Sequence, residues 1–172
     1  MSSQRCLGIA GWKNSGKTTL VANLIEGLRN RGYTISTIKH AHHAFDLDQA
    51  GTDSFAHRQA GAQEVALVSQ NRWAIQHELN GREEPGFAEI LTRLSPCDLV
   101  LVEGYKREPI PKLEIMGADQ MTQKEWLWPN DDQVIAIACD QEIAGCALPR
   151  FARDQVDAIC EFVVSALKLG SR

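Results

Sequence analysis

Residues 4–10 read as a short buried strand, with an apolar run from Cys6 to Ala10, that ends at Gly11. Over residues 17–30, Leu20, Leu24, Ile25 and Leu28 recur at the spacing of one helix face, and Gly32 stands where such a helix would stop. Residues 33–38, rich in β-branched and aromatic side chains, predict a second strand. Strand, helix and strand in this order make a βαβ unit with a right-handed crossover and parallel strands. Ligands of such sheets bind beyond the C-terminal ends of the strands, so the residues following Ile38 are expected near whatever the first turn holds.

The alternation of patterns continues along the chain. Asp53 is expected to cap a short helix over 54–60 that ends at Gly61. Residues 64–69 and 72–76 read as short strands around Gln70 and Asn71, and 80–86 as a turn-rich break. Phe87, Ile90, Leu91 and Leu94 have helical spacing, closed by Ser95-Pro96. Four consecutive apolar residues, 99–102, read as a central parallel strand. Residues 105–111 are basic and limited by proline to extended or loop structure. Residues 113–116 and 134–138 read as strands around an irregular segment with Trp126, Trp128 and Pro129, which suits a buried lid or a subunit contact. Asp154 is expected to cap a last helix whose apolar face is Val156, Ile159, Cys160, Val163 and Leu167. The class is α/β, a mostly parallel sheet flanked by helices with additional short antiparallel strands. The simplest organisation is one domain over 1–172, with 64–80 and 112–130 as a possible small subregion for dimer contact.

Composition narrows the function. The chain has 172 residues, of which 44% are hydrophobic and 23% charged, enough to build a core. A net charge of -4 and the lack of a basic cluster argue against a general nucleic-acid binder. The N-terminal residues lead straight into a functional motif, so a cleaved signal is not expected there. Nowhere do about 18 apolar residues run together as a bilayer span requires, and the expectation is a soluble, cytoplasmic protein. Five cysteines, odd in number and without a C-x-x-C, fit reduced thiols.

The candidate chemistry begins at residues 11–18, which read Gly-Trp-Lys-Asn-Ser-Gly-Lys-Thr and fit the P-loop pattern between a strand and a helix. Gly11 and Gly16 let the chain wrap closely, so that backbone N–H groups from Lys13, Asn14, Ser15, Gly16, Lys17, Thr18 and Thr19 can turn toward phosphate oxygens. The positive end of the following helix points to the same place. Lys17 is expected to reach the β- and γ-phosphates, and the Thr18 hydroxyl to serve Mg²⁺. These features make the fold P-loop NTPase-like.

Three imidazoles and three carboxylates fall within residues 39–53: Lys39, His40, His42, His43, Asp46, Asp48 and Asp53 carry the polar character of this loop. It reads as a transition-metal site, as a nucleotide or cofactor surface with one aspartate near the Mg²⁺ shell, or as a solvated loop. Arg72, Lys106 and Arg107 are further candidate anion contacts, or simply surface charges. The strand at 99–102 resembles a Walker B strand flanked by two acids. Asp98 opens it and Glu103 closes it on the P-loop side, so Glu103 is the expected metal and catalytic acid beside Lys17, with Gly104 admitting the backbone to the γ-phosphate. Asp140, after the strand at 134–138, is a candidate for the exocyclic edge of a purine. An N-K-x-D motif is absent, so the pattern alone does not choose between GTP and ATP.

GWKNSGKTTL, IKHAHH with DLDQAGTDS, SQNRWA, DLVLVEGYK and VIAIACD together resemble the molybdopterin-guanine dinucleotide biosynthesis adapter protein B (MobB) family over almost the whole chain. The resemblance implies a dimeric P-loop GTP-binding protein with weak GTPase activity. It would assist the guanylyltransferase MobA, which joins GMP to molybdopterin, in molybdenum cofactor biosynthesis. It further implies that residues 11–18 bind phosphates, that Thr18 and Glu103 serve Mg²⁺, and that the 39–48 loop lies beside nucleotide or pterin. The rival readings are an ATP-dependent small-molecule kinase, with its acceptor against Lys39, the histidines and Lys106, and a metal-delivery GTPase using His40, His42 and His43.

Overall fold

Every residue of β1 (Cys6–Ala10) is buried, the signature of a strand flanked by strands on both edges and covered on both faces. In the computed structural model, which describes residues 4–41, 45–117 and 125–171, β1 lies between β5 (Leu99–Glu103) and β6 (Lys112–Ile115). β2 (Ile35–Lys39) pairs with the far edge of β5; β7 (Val134–Ala138) and β8 (Arg150–Phe151) extend the other side. The order is β2-β5-β1-β6-β7-β8 and every pairing is parallel, so all six strands end along one edge. The βαβ expectation holds, with β5 inserted between β1 and β2.

The core joins this sheet to two helices. α1 (Lys17–Asn30) buries Leu20, Leu24 and Leu28, and α4 (Val156–Ala166) buries Ile159, Cys160 and Val163, against Leu7, Ile9, Leu101 and Leu113. Gly27 permits the approach of these helices, because a Cβ there would stand 2.8 Å from the Cys160 sulfur. Two expected caps are displaced. Asp154 does not cap α4: Gln155 holds the N-cap position without a side-chain cap, and its Oε1 accepts from the Ala152 N–H instead. For α2 (Asp53–Gln59) the cap is Thr52, whose Oγ1 accepts from the Phe55 N–H, while Asp53 is the first helical residue, its charge favourable at the positive helix end.

The described residues of 1–40 and 91–172 make one compact unit and those of 41–90 a second. The second contains α2 and the antiparallel hairpin of β3 (Glu64–Val68) and β4 (Trp73–His77), in register Ala66 to Ile75 and Val68 to Trp73. Arg58 ties it together, donating to Asp48 at 2.7 Å and to Asp46 at 2.9 Å, reaching Glu78 at 3.5 Å, and lying over the Phe55 ring. Its hydrogen bonds, and then its charge, hold the Asp48 carboxyl below the usual carboxylate range. α3 (Phe87–Arg93) completes the elements. Among the described residues no helix is long and apolar enough to cross a membrane.

Candidate nucleotide-phosphate site

The turn after β1 is built from conformations that only particular residues tolerate. Gly11 has φ +151° and Gly16 φ +98°, with Asn14 between them also left-handed at φ 66°. The Ser15 N–H closes a turn on the Trp12 carbonyl at 3.2 Å. α1 then starts at Lys17 with no side-chain cap and no acid in its first turn, while the Leu20 N–H already bonds the Gly16 carbonyl. The N–H groups of Lys17, Thr18 and Thr19 thus precede the first intrahelical bond, and the positive helix end is not neutralised locally. Inside the turn, Ser15 is wholly buried and, among the described residues, its Oγ has no hydrogen-bond partner. A loop curled around unsatisfied donors at a positive helix end fits a phosphate chain.

Lys17 Nζ folds back to donate to the carbonyls of Gly11, at 3.0 Å, and Trp12. Burial lowers the Lys17 pKa, and the Glu103 charge acts in the opposite direction. A phosphate would replace two neutral acceptors by charged ones, the exchange expected to favour the ammonium form.

Glu103 supplies the facing wall. The β5 register sets it beside Ile9 of β1 and Lys39 of β2, and its Oε2 lies 3.8 Å from Lys39 Nζ. A cleft of about 340 Å³ is lined by Lys13, Asn14, Gly16, Lys17, Thr18, Thr19 and Glu103, the expected phosphate residues with the expected acid. The hard oxygen donors of Thr18 and Glu103 suit Mg²⁺. Asp98 is at the opposite end of β5, its Oδ2 accepting from the Thr34 N–H and hydroxyl, both at 2.7 Å. Direction along the strand therefore separates the two acids as the sequence implies. A larger recess of about 440 Å³, at the C-terminal end of α1 beside Arg31, Tyr33 and Glu161, contains none of this chemistry.

Beyond Glu103 the chain turns sharply. Gly104 (φ +95°) and Tyr105 (φ 47°) are both left-handed, the His40 N–H donates to the Glu103 carbonyl at 2.8 Å, and the rings of His40 and Tyr105 lie 4.7 Å apart. A Cβ on Gly104 would stand 2.6 Å from the His40 Cβ, so glycine here allows the ends of β2 and β5 to meet.

His42 and His43 lie outside the described residues, among which no group of three metal-ligating side chains occurs. Asp46 and Asp48 face Arg58, and Asp53 opens α2. Arg72 sits at the tip of the β3–β4 hairpin, its carbonyl accepting from Ser69. Lys106 Nζ lies 5.0 Å from the centre of the Trp12 ring, and Arg107 is exposed. Asp140 accepts from the Arg153 Nε at 2.7 Å and backbone N–H at 2.9 Å, and these bonds hold its carboxyl below the usual range.

Three residues escaped the sequence reading. Trp12, a variable position of the P-loop pattern, donates from Nε1 to the Glu125 carbonyl at 2.9 Å. Glu114 on β6 accepts the backbone N–H groups of Leu127 and Trp128. Arg153 follows β8, a two-residue strand too short to give a periodic signal.

The model of the family described as "Molybdopterin guanine dinucleotide synthesis protein B" matches residues 6–140, from β1 to Asp140. The "Molybdopterin-guanine dinucleotide biosynthesis adapter protein" of Escherichia coli (strain K12) is 36% identical over 162 residues, 92% of this chain and 90% of that protein. Its namesake from Haemophilus influenzae is 40% identical over 132 residues, 77% of this chain and 72% of the relative. A crystal structure of molybdopterin-guanine biosynthesis protein B superposes with a TM-score of 0.73 at 27% identity, covering 94% of this chain and 99% of the other.

Proposed function

Because the chain belongs to the molybdopterin-guanine dinucleotide synthesis protein B (MobB) family, we propose that it is an adapter in that biosynthesis which binds GTP with Mg²⁺ and hydrolyses it slowly. The observation that carries the reading is the single cleft in which Lys17, Thr18 and Glu103 converge on the uncapped start of α1. The backbone of residues 13–19 and the Lys17 ammonium hold the phosphates, and Thr18 and Glu103 hold the metal. Mg²⁺, when bound, neutralises charge on the terminal phosphates. Guanine rather than adenine follows from the family resemblance. Slow turnover is consistent with a cleft lined by lysines: an arginine finger is worth about 10³ to 10⁵ in rate in other NTPases, and among the described residues none lines this wall. The guanylyltransferase MobA, as partner, or a second copy of the chain is the natural source of that charge. Added MobA should then raise the hydrolysis rate; an unchanged rate would leave the second copy as the source.

The test is calorimetric titration with non-hydrolysable GTP and ATP analogues in the presence of Mg²⁺. GTP is expected to bind in preference to ATP, and Lys17→Ala to weaken binding about 10- to 150-fold, the range for loss of a charged hydrogen bond. Equal or tighter ATP binding would sink the guanine assignment and favour the kinase reading.

The second copy has a suitable surface. In the β3–β4 hairpin, Ala66, Val68, Trp73 and Ile75 share one face, and Val68 is 81% and Trp73 69% exposed. A two-stranded ribbon is marginal alone and gains from covering such a face. Residues 112–115, by contrast, form the buried interior strand β6 and offer no such face. Sedimentation equilibrium should give a dimer for the native chain and a monomer for Val68→Ser/Trp73→Ser; a native monomer at micromolar concentration would remove this surface from the account.

A further inference from the structure

The acid of the cleft is shared with a lysine. Glu103 Oε2 lies 3.8 Å from Lys39 Nζ, and among the described residues Lys39 is the cation it pairs with. The two come from neighbouring strand ends: the β2–β5 register sets Lys39 against Glu103, and the His40 N–H donates to the Glu103 carbonyl at 2.8 Å. What this fixes is the backbone. The Lys39 side chain is 64% exposed against 19% for Glu103, and so long and exposed an ion pair holds weakly, so either member exchanges it readily for a stronger partner. Glu103 gains such a partner if it serves the metal beside Thr18. An ammonium left close to a metal-bearing carboxylate is repelled by the cation and turns to the nearest anion.

Two observations say what that anion is. The Lys17 pKa is lowered mainly by burial; Glu103 acts against this, and the Lys106 and Lys39 charges act with it. Three ammonium groups thus act on one another around one carboxylate, an imbalance suited to a highly charged anion. The strand order then gives the position. The P-loop follows β1, whose neighbour is β5, with β2 beyond. The inner phosphates belong to the N–H groups of the loop and of the start of α1, whereas Lys39 reaches in from two strands away, beside Glu103, and meets the outer end of the chain.

The geometry points to Lys39 as the residue that distinguishes a nucleoside triphosphate from a diphosphate: it pairs with Glu103 until that carboxylate takes the metal, and then donates to the terminal phosphate. A compact charge on a flexible four-carbon stem suits such an exchange between two anions. This assignment rests on the nucleotide reading above and deepens it.

The experiment is calorimetric titration with GDP and with a non-hydrolysable GTP analogue, each with Mg²⁺, of the native chain, Lys39→Met, Lys39→Arg and Lys106→Met. The native chain is expected to bind the analogue more tightly than GDP. Lys39→Met should lose about 5- to 12-fold in affinity for the analogue, between the values of an exposed ion pair and a charged hydrogen bond, and less than about twofold for GDP. Lys39→Arg keeps charge and reach and should restore most of the difference. Lys106→Met removes an equal charge whose Nζ stands over the Trp12 ring, and should weaken both nucleotides alike. Equal losses for both nucleotides in Lys39→Met would overturn the inference, as would a Lys106→Met protein that loses the preference equally. A native chain that binds the two nucleotides equally well would overturn it without recourse to any variant. A native chain that binds neither more tightly than Lys17→Ala does would instead sink the nucleotide reading itself.

Discussion

Replacing Gly11 with alanine is expected to abolish the proposed nucleotide binding and to cost the fold about 2–6 kcal/mol, the sum of backbone strain and overpacking. Two independent effects act at this position. The backbone stands at φ +151°, where a side chain is strained whatever the space around it. The added Cβ would also overlap the Ile115 carbonyl oxygen and crowd Ser15 Oγ at 2.8 Å and Ile115 Cγ2 at 3.0 Å. None of these neighbours can yield cheaply, since Ile115 is 1% exposed in an interior strand and Ser15 is wholly buried. Against a typical total stability of about 5–15 kcal/mol, such a loss is large. Gly86→Ala is the control: nothing lies within 4 Å of its Cβ and its φ is ordinary, so a near-neutral effect is expected. Urea unfolding midpoints of the two variants give the comparison. Equal midpoints would mean that the P-loop relaxes around the methyl and that the close packing of β1 against β6 matters little.

Much of the architecture was legible because its signals are local and periodic. The α1 helix over Lys17–Asn30, with Leu20, Leu24 and Leu28 inward, follows from spacing alone, and the solid apolar run of β5 marks a strand buried on both faces. Strand direction then told Glu103 from Asp98, because a parallel sheet gives all its strands the same functional edge. What sequence did not carry were partnerships across long intervals. Asp140 and Arg153 are thirteen residues apart, and Arg58 gathers carboxylates from Asp46 to Glu78. Such pairs have no period, so the aspartates of the 46–53 stretch looked available for a metal. Caps slipped by one residue for a related reason. Thr52 and Asp53 are both good N-caps, and the turn in which the Thr52 N–H bonds the Gln49 carbonyl determines which of them is used.

Glu114→Ala is expected to destabilise the protein by about 2–6 kcal/mol, because it orphans two N–H donors at about 1–3 kcal/mol each. The Leu127 and Trp128 N–H groups donate to Oε1 and Oε2 at 2.7 and 3.1 Å, and the glutamate that receives them is 1% exposed. Burial raises the Glu114 pKa, and the two N–H bonds only partly offset that rise. A folded-state pKa above the unfolded value means that the folded protein binds this proton more tightly. The associated stability is therefore fully present below the ordinary glutamate value of about 4.3 and is lost as pH rises through the raised folded value. Glu114→Gln keeps one acceptor and removes the titration, so its deficit relative to the native chain should shrink as pH rises through that window. A deficit that grows with pH would mean that the two N–H bonds outweigh burial. The effect should also reach the site, since residue 125, two positions before the bonded Leu127, supplies the carbonyl that holds Trp12 Nε1. Trp12→Phe removes that tether alone. If the loop depends on it, Trp12→Phe and Glu114→Ala will weaken the proposed GTP binding in the same direction while only Glu114→Ala shows the large loss in unfolding midpoint.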